Sequence, residues 1–224
     1  MALRATQANY YLHSDGKANS ASGDGSLSTA IPNKEGTDTF VYDPANPVPT
    51  VGGPLCCDSD HLAPGPRDQK DVEARSDVLV YTTPPLDQDL EVTGPVTLDL
   101  FAKSSAIDTD FTGKLVDVWP NGFAQNLTEG ILRARFRAST VGEPKPITPG
   151  KVYEYKIDLW STSNVFLKGH RIRLEVSSSN FPRFDRNLNT GKSAAEDTQF
   201  VKATNTVLQG GVYASALILP VVPK

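Results

Sequence analysis

The chain has 224 residues, of which 38% are hydrophobic, so it can bury the core of one large domain or two small ones. Its 22 Lys and Arg against 26 Asp and Glu give a net charge of −4 without a run of like charge, which argues against nucleic acid and anionic membranes as partners. The sequence has no apolar stretch long enough to span a bilayer and no apolar signal-peptide core, so the default expectation is a cytoplasmic protein.

Residues 1–75 are expected to form an extended, mostly irregular arm. Residues 9–13 and 39–42 are short strand candidates, whereas 14–28 is rich in glycine, serine and aspartate without an apolar period. The prolines that follow exclude a helix or a central strand; they are Pro44, Pro47, Pro49 and Pro54. Such a stretch is unusual inside a compact domain, which leaves a flexible linker or an arm ordered by another body.

Apolar side chains in this arm favour the second alternative. They are more numerous than a solvated linker would carry, and they are Tyr10, Tyr11, Phe40, Val41 and Tyr42. We therefore expect the arm to pack on another body.

Residues 76–224 are predicted to form a β-sandwich domain. Short runs rich in β-branched and aromatic residues recur with turn residues between them, at 78–82, 90–93, 96–102, 111–119, 123–127, 130–137, 152–159, 170–177, 204–208 and 214–221. Asn121-Gly122 predicts a tight hairpin, because both residues accept the positive φ of a type I′ turn. Short strands in this number, with at most one helical turn near 196–202, indicate two packed antiparallel sheets.

Two strands show a period of two, which predicts that one face of each strand is buried and the other faces solvent. In 171–176, Ile172, Leu174 and Val176 alternate with charged residues. In 132–137, arginines alternate with Leu132, Ala134 and Phe136 in the same way. The charged side chains of both strands are therefore expected to face solvent.

The loop 180–186, which follows the strand at 171–177, combines two aromatic rings, two guanidinium groups and a carboxylate around Pro182. Exposing such a loop to solvent costs free energy unless its side chains pack on another surface. We therefore expect the loop to face a partner surface. Phe181 and Phe184 are interpreted as packing anchors. Arg183 and Asp185, with Arg186, are predicted to form a local ion-pair network. The alternative is that these residues recognise a ligand.

Residues for catalysis are not evident. The G-x-S-x-G elbow of α/β-hydrolases does not occur, and His170 is interpreted as a hydrogen-bonded strand residue. Nothing orients His61 toward Cys57 as a catalytic dyad, and His13 has no partnered nucleophile. The adjacent Cys56 and Cys57 cannot supply a zinc site with three scattered histidines, so they are interpreted as inert thiols and we expect no cofactor.

Asp108 and Asp110 offer oxygens two residues apart, as calcium loops do. The glycine and the bidentate glutamate of an EF-hand are missing, so the motif is weak. Aspartates that cap a turn are the favoured interpretation, and a structural calcium is the alternative.

A set of motifs, in one consistent order, resembles the C-terminal part of cocaine-esterase-like hydrolases, relatives of X-Pro dipeptidyl peptidases and α-amino-acid ester hydrolases. The motifs are YYLHS at 10–14, DTFVYDP at 38–44, PVP at 47–49, Gly52-Gly53, DVLVYT at 77–82, EVTG at 91–94, DTDF at 108–111, KLVDV at 114–118, TSNVF at 162–166, GHRI at 169–172 and SSSNFP at 177–182. The resemblance covers nearly the whole chain.

The resemblance implies a non-catalytic jelly-roll domain of the galactose-binding-like type, because the catalytic serine, aspartate and histidine of the family belong to a preceding α/β-hydrolase domain. That domain, on the same chain or a separate one, is the implied partner. The turn at 53–57 would then approach the substrate cleft with Leu55, Cys56 and Cys57. The residues expected to pack between domains are Tyr10, Tyr11, Phe40, Tyr42, Phe181, Arg183, Phe184 and Asp185.

Two other functions are compatible with a β-sandwich. The first is a free-standing module that binds carbohydrate or another polar ligand, with Trp119, Trp160, Phe181 and Phe184 as candidate contacts. The second is a homodimerising structural domain.

Overall fold

The computed structural model describes residues 5–55, 63–192, 195 and 197–223. Within them it contains eleven strands and one helical turn of α type. They are β1 (Thr6–His13), β2 (Ser26–Ser28), β3 (Gly36–Tyr42), α1 (Lys70–Glu73), β4 (Leu79–Thr82), β5 (Leu90–Ser104), β6 (Asp110–Val118), β7 (Ala124–Arg133), β8 (Tyr153–Phe166), β9 (Arg171–Ser177), β10 (Ala203–Gln209) and β11 (Ala216–Val222). Short 3₁₀ turns lie at Ala134–Phe136 and Gly211–Tyr213.

Hydrogen bonds join the described strands in the order β3-β10-β5-β11-β1-β2-β4-β9-β6-β7, and β8 pairs with β5. The pairings are antiparallel except for the contact of Ser26 in β2 with Thr82 in β4. This sheet folds over a common core in which β6 lies against β5 and β8. The rings of Phe111 and Tyr155 are 4.7 Å apart across that core. The prediction of an all-β sandwich is confirmed, and its jelly-roll, galactose-binding-like topology stays a prediction.

The antiparallel hairpin predicted at Asn121-Gly122 is confirmed, because β6 and β7 pair on either side of it. The predicted type I′ turn is wrong: Gly122 has φ of +89° but Asn121 does not have positive φ, and the N–H of Gly122 donates to the carbonyl of Trp119 at 2.9 Å, which places Pro120 and Asn121 at the centre of the turn.

Several strand predictions needed correction. The segments predicted at 123–127 and 130–137 contribute to one strand, β7, and the strand predicted at 152–159 continues to Phe166 as β8. The segments 90–93 and 96–102 form one strand, β5, which runs through Gly94-Pro95. Strand β7 ends at Arg133, and Ala134 starts a 3₁₀ turn, so the predicted alternation of residues 132–137 across a sheet is wrong.

The described residues of 1–75 contribute three strands to the same sheet as the rest of the chain. β1 pairs with β11, and β3 pairs with β10 over seven positions from Gly36↔Gln209 to Tyr42↔Ala203. Phe40 and Tyr42 are 3% and 1% exposed and belong to the main core. Their expected packing against another body is corrected accordingly, because their side chains are already buried within this chain.

The proline-rich part of the arm also packs on this chain. Val48, Val72, Val78 and Val80 form a small apolar cluster that joins the arm to β4. The described part of the arm therefore packs on the rest of this chain, through strand pairing and through this apolar cluster. Among the described residues, no helix has the length and apolar character needed to cross a membrane.

Candidate functional site: the base of the 53–65 loop

Gly53 and Gly65 close a loop, called here the 53–65 loop, that contains Leu55, Cys56 and Cys57. Each glycine donates its amide N–H to the carbonyl oxygen of the other, at 2.8 and 2.9 Å. Leu55 is half-buried beside this base and donates its N–H to the carbonyl of Gly53 at 2.8 Å. Cys56, Cys57 and His61 lie outside the described residues, so their predicted roles stay predictions.

Both ends of the loop are tied to the sandwich by hydrogen bonds. Before the loop, the N–H of Thr50 donates to the carbonyl of Phe181 at 2.7 Å. After it, the N–H of Arg67 donates to Oδ1 of Asn126 at 2.6 Å, and the buried Gln69 donates from Nε2 to the carbonyl of Val51 at 2.9 Å. The loop base is therefore held between β7 and the segment after β9.

A buried group of three acids and three bases lies under this base, and it is called here the ionic cluster. Its members are Glu73, Lys114, Glu129, Arg173, Glu175 and Arg183. Nζ of Lys114 lies 3.2 Å from Glu175, 3.9 Å from Glu129 and 2.7 Å from Oε1 of Gln69. Arg183 pairs with Glu129, and Arg173 pairs with Glu73 at 2.5 Å. The charges balance, so each buried acid depends on a specific cation.

Burial raises the pKa of two of these acids. It raises the pKa of Glu73 to about 7, with a further contribution from the Glu175 carboxylate and an opposing one from Arg173. Burial also raises the pKa of Glu175, against the attraction of Lys114. One carboxylate oxygen of each residue, Oε1, is buried without a hydrogen-bond partner among the described atoms. Desolvation thus outweighs the favourable charge contacts at Glu73.

Glu73→Gln should make folding stability less dependent on pH. A carboxyl group whose pKa is about 7 in the folded protein and 4.5 otherwise stabilises the fold below about pH 4.5 and loses that contribution as pH rises through 7. We expect the loss of unfolding free energy between pH 5 and 8 to shrink by about 2–3 kcal/mol in Glu73→Gln. Urea denaturation at both pH values measures it, with the exposed Glu143→Gln as the control. Parallel pH profiles for wild type and Glu73→Gln would contradict the assignment.

The solvent exposure predicted for one face of 171–176 is wrong at Glu175, which is buried with its neighbours on β6 and β7. The arm covers this face, so Lys114, Glu129 and Glu175 have side chains only 8%, 4% and 4% exposed. Sequence reasoning missed Lys114 and Glu129 as members of a site. The available signal was a lysine, Lys114, in the middle of the strand predicted at 111–119.

The loop 180–186 does not form the predicted local network. Arg183 pairs with Glu129 of β7, and no ion pair joins Arg183 to Asp185 among the described contacts. Arg186 donates from Nη1 to the carbonyl of Pro44 at 2.9 Å. Phe181 is 38% exposed, and the guanidinium of Arg183 lies 4.9 Å from the ring centre of Phe184. The loop therefore binds the arm on one side and leaves Phe181 and Asp185 exposed.

Asp108 and Asp110 bind cations and amides of their own chain. Asp110 pairs with Nε of Arg133 at 2.9 Å, and Asp108 accepts the N–H of Arg135 at 3.0 Å. Asn187 donates to both carboxylates at 3.0 and 2.8 Å. Among the described His, Cys, Asp and Glu residues, no group of three or more is placed to hold a metal ion.

The remaining predicted residues lie apart from the loop base. Nδ1 of His170 is 2.9 Å from Asp117, which fits the interpretation of a hydrogen-bonded residue at a strand start. Nε2 of His13 is 2.9 Å from the carbonyl of Ala30. Trp119 packs on Phe123 and is 41% exposed. The half-buried Tyr10 and Tyr11 lie on β1, and Trp160 on β8 is 66% exposed.

Comparison with known proteins gives a consistent result. The family model of the X-Pro dipeptidyl-peptidase C-terminal non-catalytic domain matches residues 2–218. Cocaine esterase of Rhodococcus sp. (strain MB1 Bresler) is 47% identical over 96% of this chain and 37% of its own length. An α-amino acid ester hydrolase shares the fold with a TM-score of 0.84 and 31% identity, over 96% of this chain and 36% of that one. An aminopeptidase from the marine sediment archaeon Thaumarchaeota archaeon gives a TM-score of 0.83 at 33% identity, over 97% and 37%.

Proposed function

Because the chain belongs to the family of X-Pro dipeptidyl-peptidase C-terminal non-catalytic domains, we propose that it completes the substrate cleft of a serine ester or amide hydrolase and stabilises that assembly. The chain spans 37% of the length of the Rhodococcus relative, so the catalytic domain would be supplied by further sequence. The observation that carries the proposal is the 53–65 loop, whose base is closed by two hydrogen bonds and seated on buried charges.

The loop suits a cleft-completing role because its base is preorganised. In the proposed assembly, Leu55, Cys56 and Cys57 contact the substrate away from the reacting bond. Binding energy gained from such remote contacts can raise turnover when it is realised in the transition state. A domain can therefore raise the rate without contributing an acid, a base or a nucleophile.

The catalytic domain is the proposed partner, and the side chains that would contact it are those left accessible. Phe181 and Asp185 are exposed, and Tyr10, Tyr11 and Phe184 are half-buried. Arg183 differs from these residues, because its guanidinium already forms an ion pair with Glu129 of this chain. An accessible aromatic residue beside a charged loop is typical of the anchors of protein interfaces.

The proposal predicts that this chain alone does not hydrolyse esters. The expected result is no turnover of p-nitrophenyl esters above buffer, and no change when a serine-reactive phosphonate is added. A complete hydrolase that carries this chain, assayed alongside, should turn over the same esters and lose activity with the phosphonate. Phosphonate-sensitive turnover by the chain alone would refute the non-catalytic role.

A ligand-binding module is the second candidate, and the exposure of Trp160 favours it. This tryptophan is 66% exposed and has φ of +68°, an uncommon conformation for a bulky residue and one that clusters at binding sites. If the module binds glycans, the chain should bind to a glycan array and Trp160→Ala should remove the binding, because sugar rings stack on exposed aromatic faces. Phe200→Ala is the control, because this aromatic residue is 48% exposed and is not among the candidate contacts. An array without signal eliminates this candidate.

A further inference from the structure

The loop base lies directly on one ion pair of the ionic cluster. A Cβ atom added at Gly53 would lie 2.9 Å from Oε1 of Glu129 and 3.2 Å from Nη1 of Arg183. Gly53 has φ of +98°, and its peptide packs on the two charged groups at a distance that only glycine allows. The backbone where the loop begins is thus in contact with the pair itself.

The pair is nearly buried and is held from both sides by the sandwich. The side chains of Glu129 and Arg183 are 4% and 12% exposed. Glu129 lies on β7, and its second oxygen, Oε2, is 3.9 Å from Nζ of Lys114 on β6. The N–H of Arg183 donates to Oγ1 of Thr50 at 3.1 Å, so this residue binds the arm through its backbone and the cluster through its side chain. A charge pair in such surroundings has little freedom to shift.

We infer that the buried pair of Glu129 and Arg183 is a positioning device that fixes Gly53, the residue from which the 53–65 loop leaves the sandwich. The inference rests on the proposed function only where it concerns activity, since the position of the loop can be measured without a substrate. In the complete hydrolase, the pair would act on the substrate through the loop. Losing it should raise KM more than it lowers kcat, because the contacts that it positions are those of substrate binding.

Cys56 and Cys57 are the two cysteines of the chain, so a thiol reagent reports on the loop alone. We expect Arg183→Met to change the rate of thiol labelling of the folded chain several-fold. Arg186→Met is the matched control, because this arginine lies in the same segment and donates to Pro44 instead. Its labelling rate should equal that of wild type. Equal rates in wild type and both variants would overturn the inference.

Two further variants keep the test decisive if Arg183→Met does not fold. Glu129→Gln removes one charge and keeps the shape of the side chain, and Arg183→Lys keeps the charge and removes the planar fork. Both should change the labelling rate of the folded chain relative to wild type, and Arg183→Lys should have the smaller effect. A wild-type labelling rate in both folded variants would overturn the inference.

The activity of the complete hydrolase separates this inference from the proposed function. If the loop lines the cleft, Arg183→Lys should lower kcat/KM about tenfold, mainly through KM, while Arg186→Met leaves it unchanged. A changed labelling rate with unchanged kcat/KM would keep the positioning device and refute a loop that contacts substrate. Unchanged labelling in Arg183→Lys and Glu129→Gln with a lowered kcat/KM would overturn the positioning device.

Discussion

Lys114→Met is expected to destabilise the chain by about 3–5 kcal/mol, since it leaves a buried carboxylate without its cation. Nζ of Lys114 lies 3.2 Å from Glu175 and 2.7 Å from Gln69, and the lysine side chain is 8% exposed. Glu129 would keep Arg183, whereas Glu175 would lose its ion-pair partner. The loss should be smaller at pH 5 than at pH 8, because burial has already raised the pKa of Glu175 and an acidic medium lets it take a proton.

Lys156→Met is the control for this change. Its ammonium lies 3.5 Å from Glu154, but the two side chains are 68% and 46% exposed, so water screens the pair. We expect Lys156→Met to lower the free energy of unfolding by less than about 1 kcal/mol, as is usual for a surface ion pair. Urea denaturation at pH 8 compares the two variants, and equal losses would show that the ionic cluster is not tightly paired.

Gly130→Ala is expected to lower the free energy of unfolding by more than about 3 kcal/mol, which is beyond the usual loss for one extra methyl group in a core. A Cβ at Gly130 would lie 1.9 Å from the carbonyl oxygen of Asp158, so β7 and β8 would have to separate. Backbone in a packed sandwich cannot rotate away as a side chain can.

Gly113→Ala is the matched control, because Gly113 lies directly opposite Gly130 in the β6–β7 pairing. Its Cβ would meet methyl groups of Leu98 and Leu159, both at 2.9 Å, and these side chains can shift. We expect Gly113→Ala to lower the free energy of unfolding by about 1–3 kcal/mol, the range typical of overpacking. If Gly113→Ala proved the more damaging of the two in urea denaturation, the close approach of β7 to β8 would be refuted.

The strands and the hairpin could be predicted from the sequence because their signals are local. The core-facing positions of Ile172, Leu174 and Val176 and the hairpin at Asn121-Gly122 depend only on neighbouring residues, and both features are present in the fold. The end of β7 at Arg133 could not be predicted in this way. The 3₁₀ turn there is held by the N–H of Ala134 donating to the carbonyl of Thr109 at 2.8 Å, a contact between distant segments.

The ionic cluster was not predicted because a polar face can be covered by a distant segment. In the sequence, Arg173 and Glu175 have the spacing of solvent-facing residues. What buries them is the arm, whose prolines show no apolar period and therefore do not indicate a second layer. The family resemblance pointed to the turn at 53–57, but it did not point to Glu129 and Arg183 beneath that turn.

The most direct test of the account is to remove the loop while keeping its base. Gly53 and Gly65 exchange two backbone hydrogen bonds, a geometry that a two-residue Asn-Gly turn can close in place of residues 54–64. In a complete hydrolase that carries this chain, the replacement should lower kcat/KM about 10- to 100-fold and leave the melting temperature unchanged. An unchanged kcat/KM in a variant with wild-type stability would contradict the claim that this domain completes the substrate cleft.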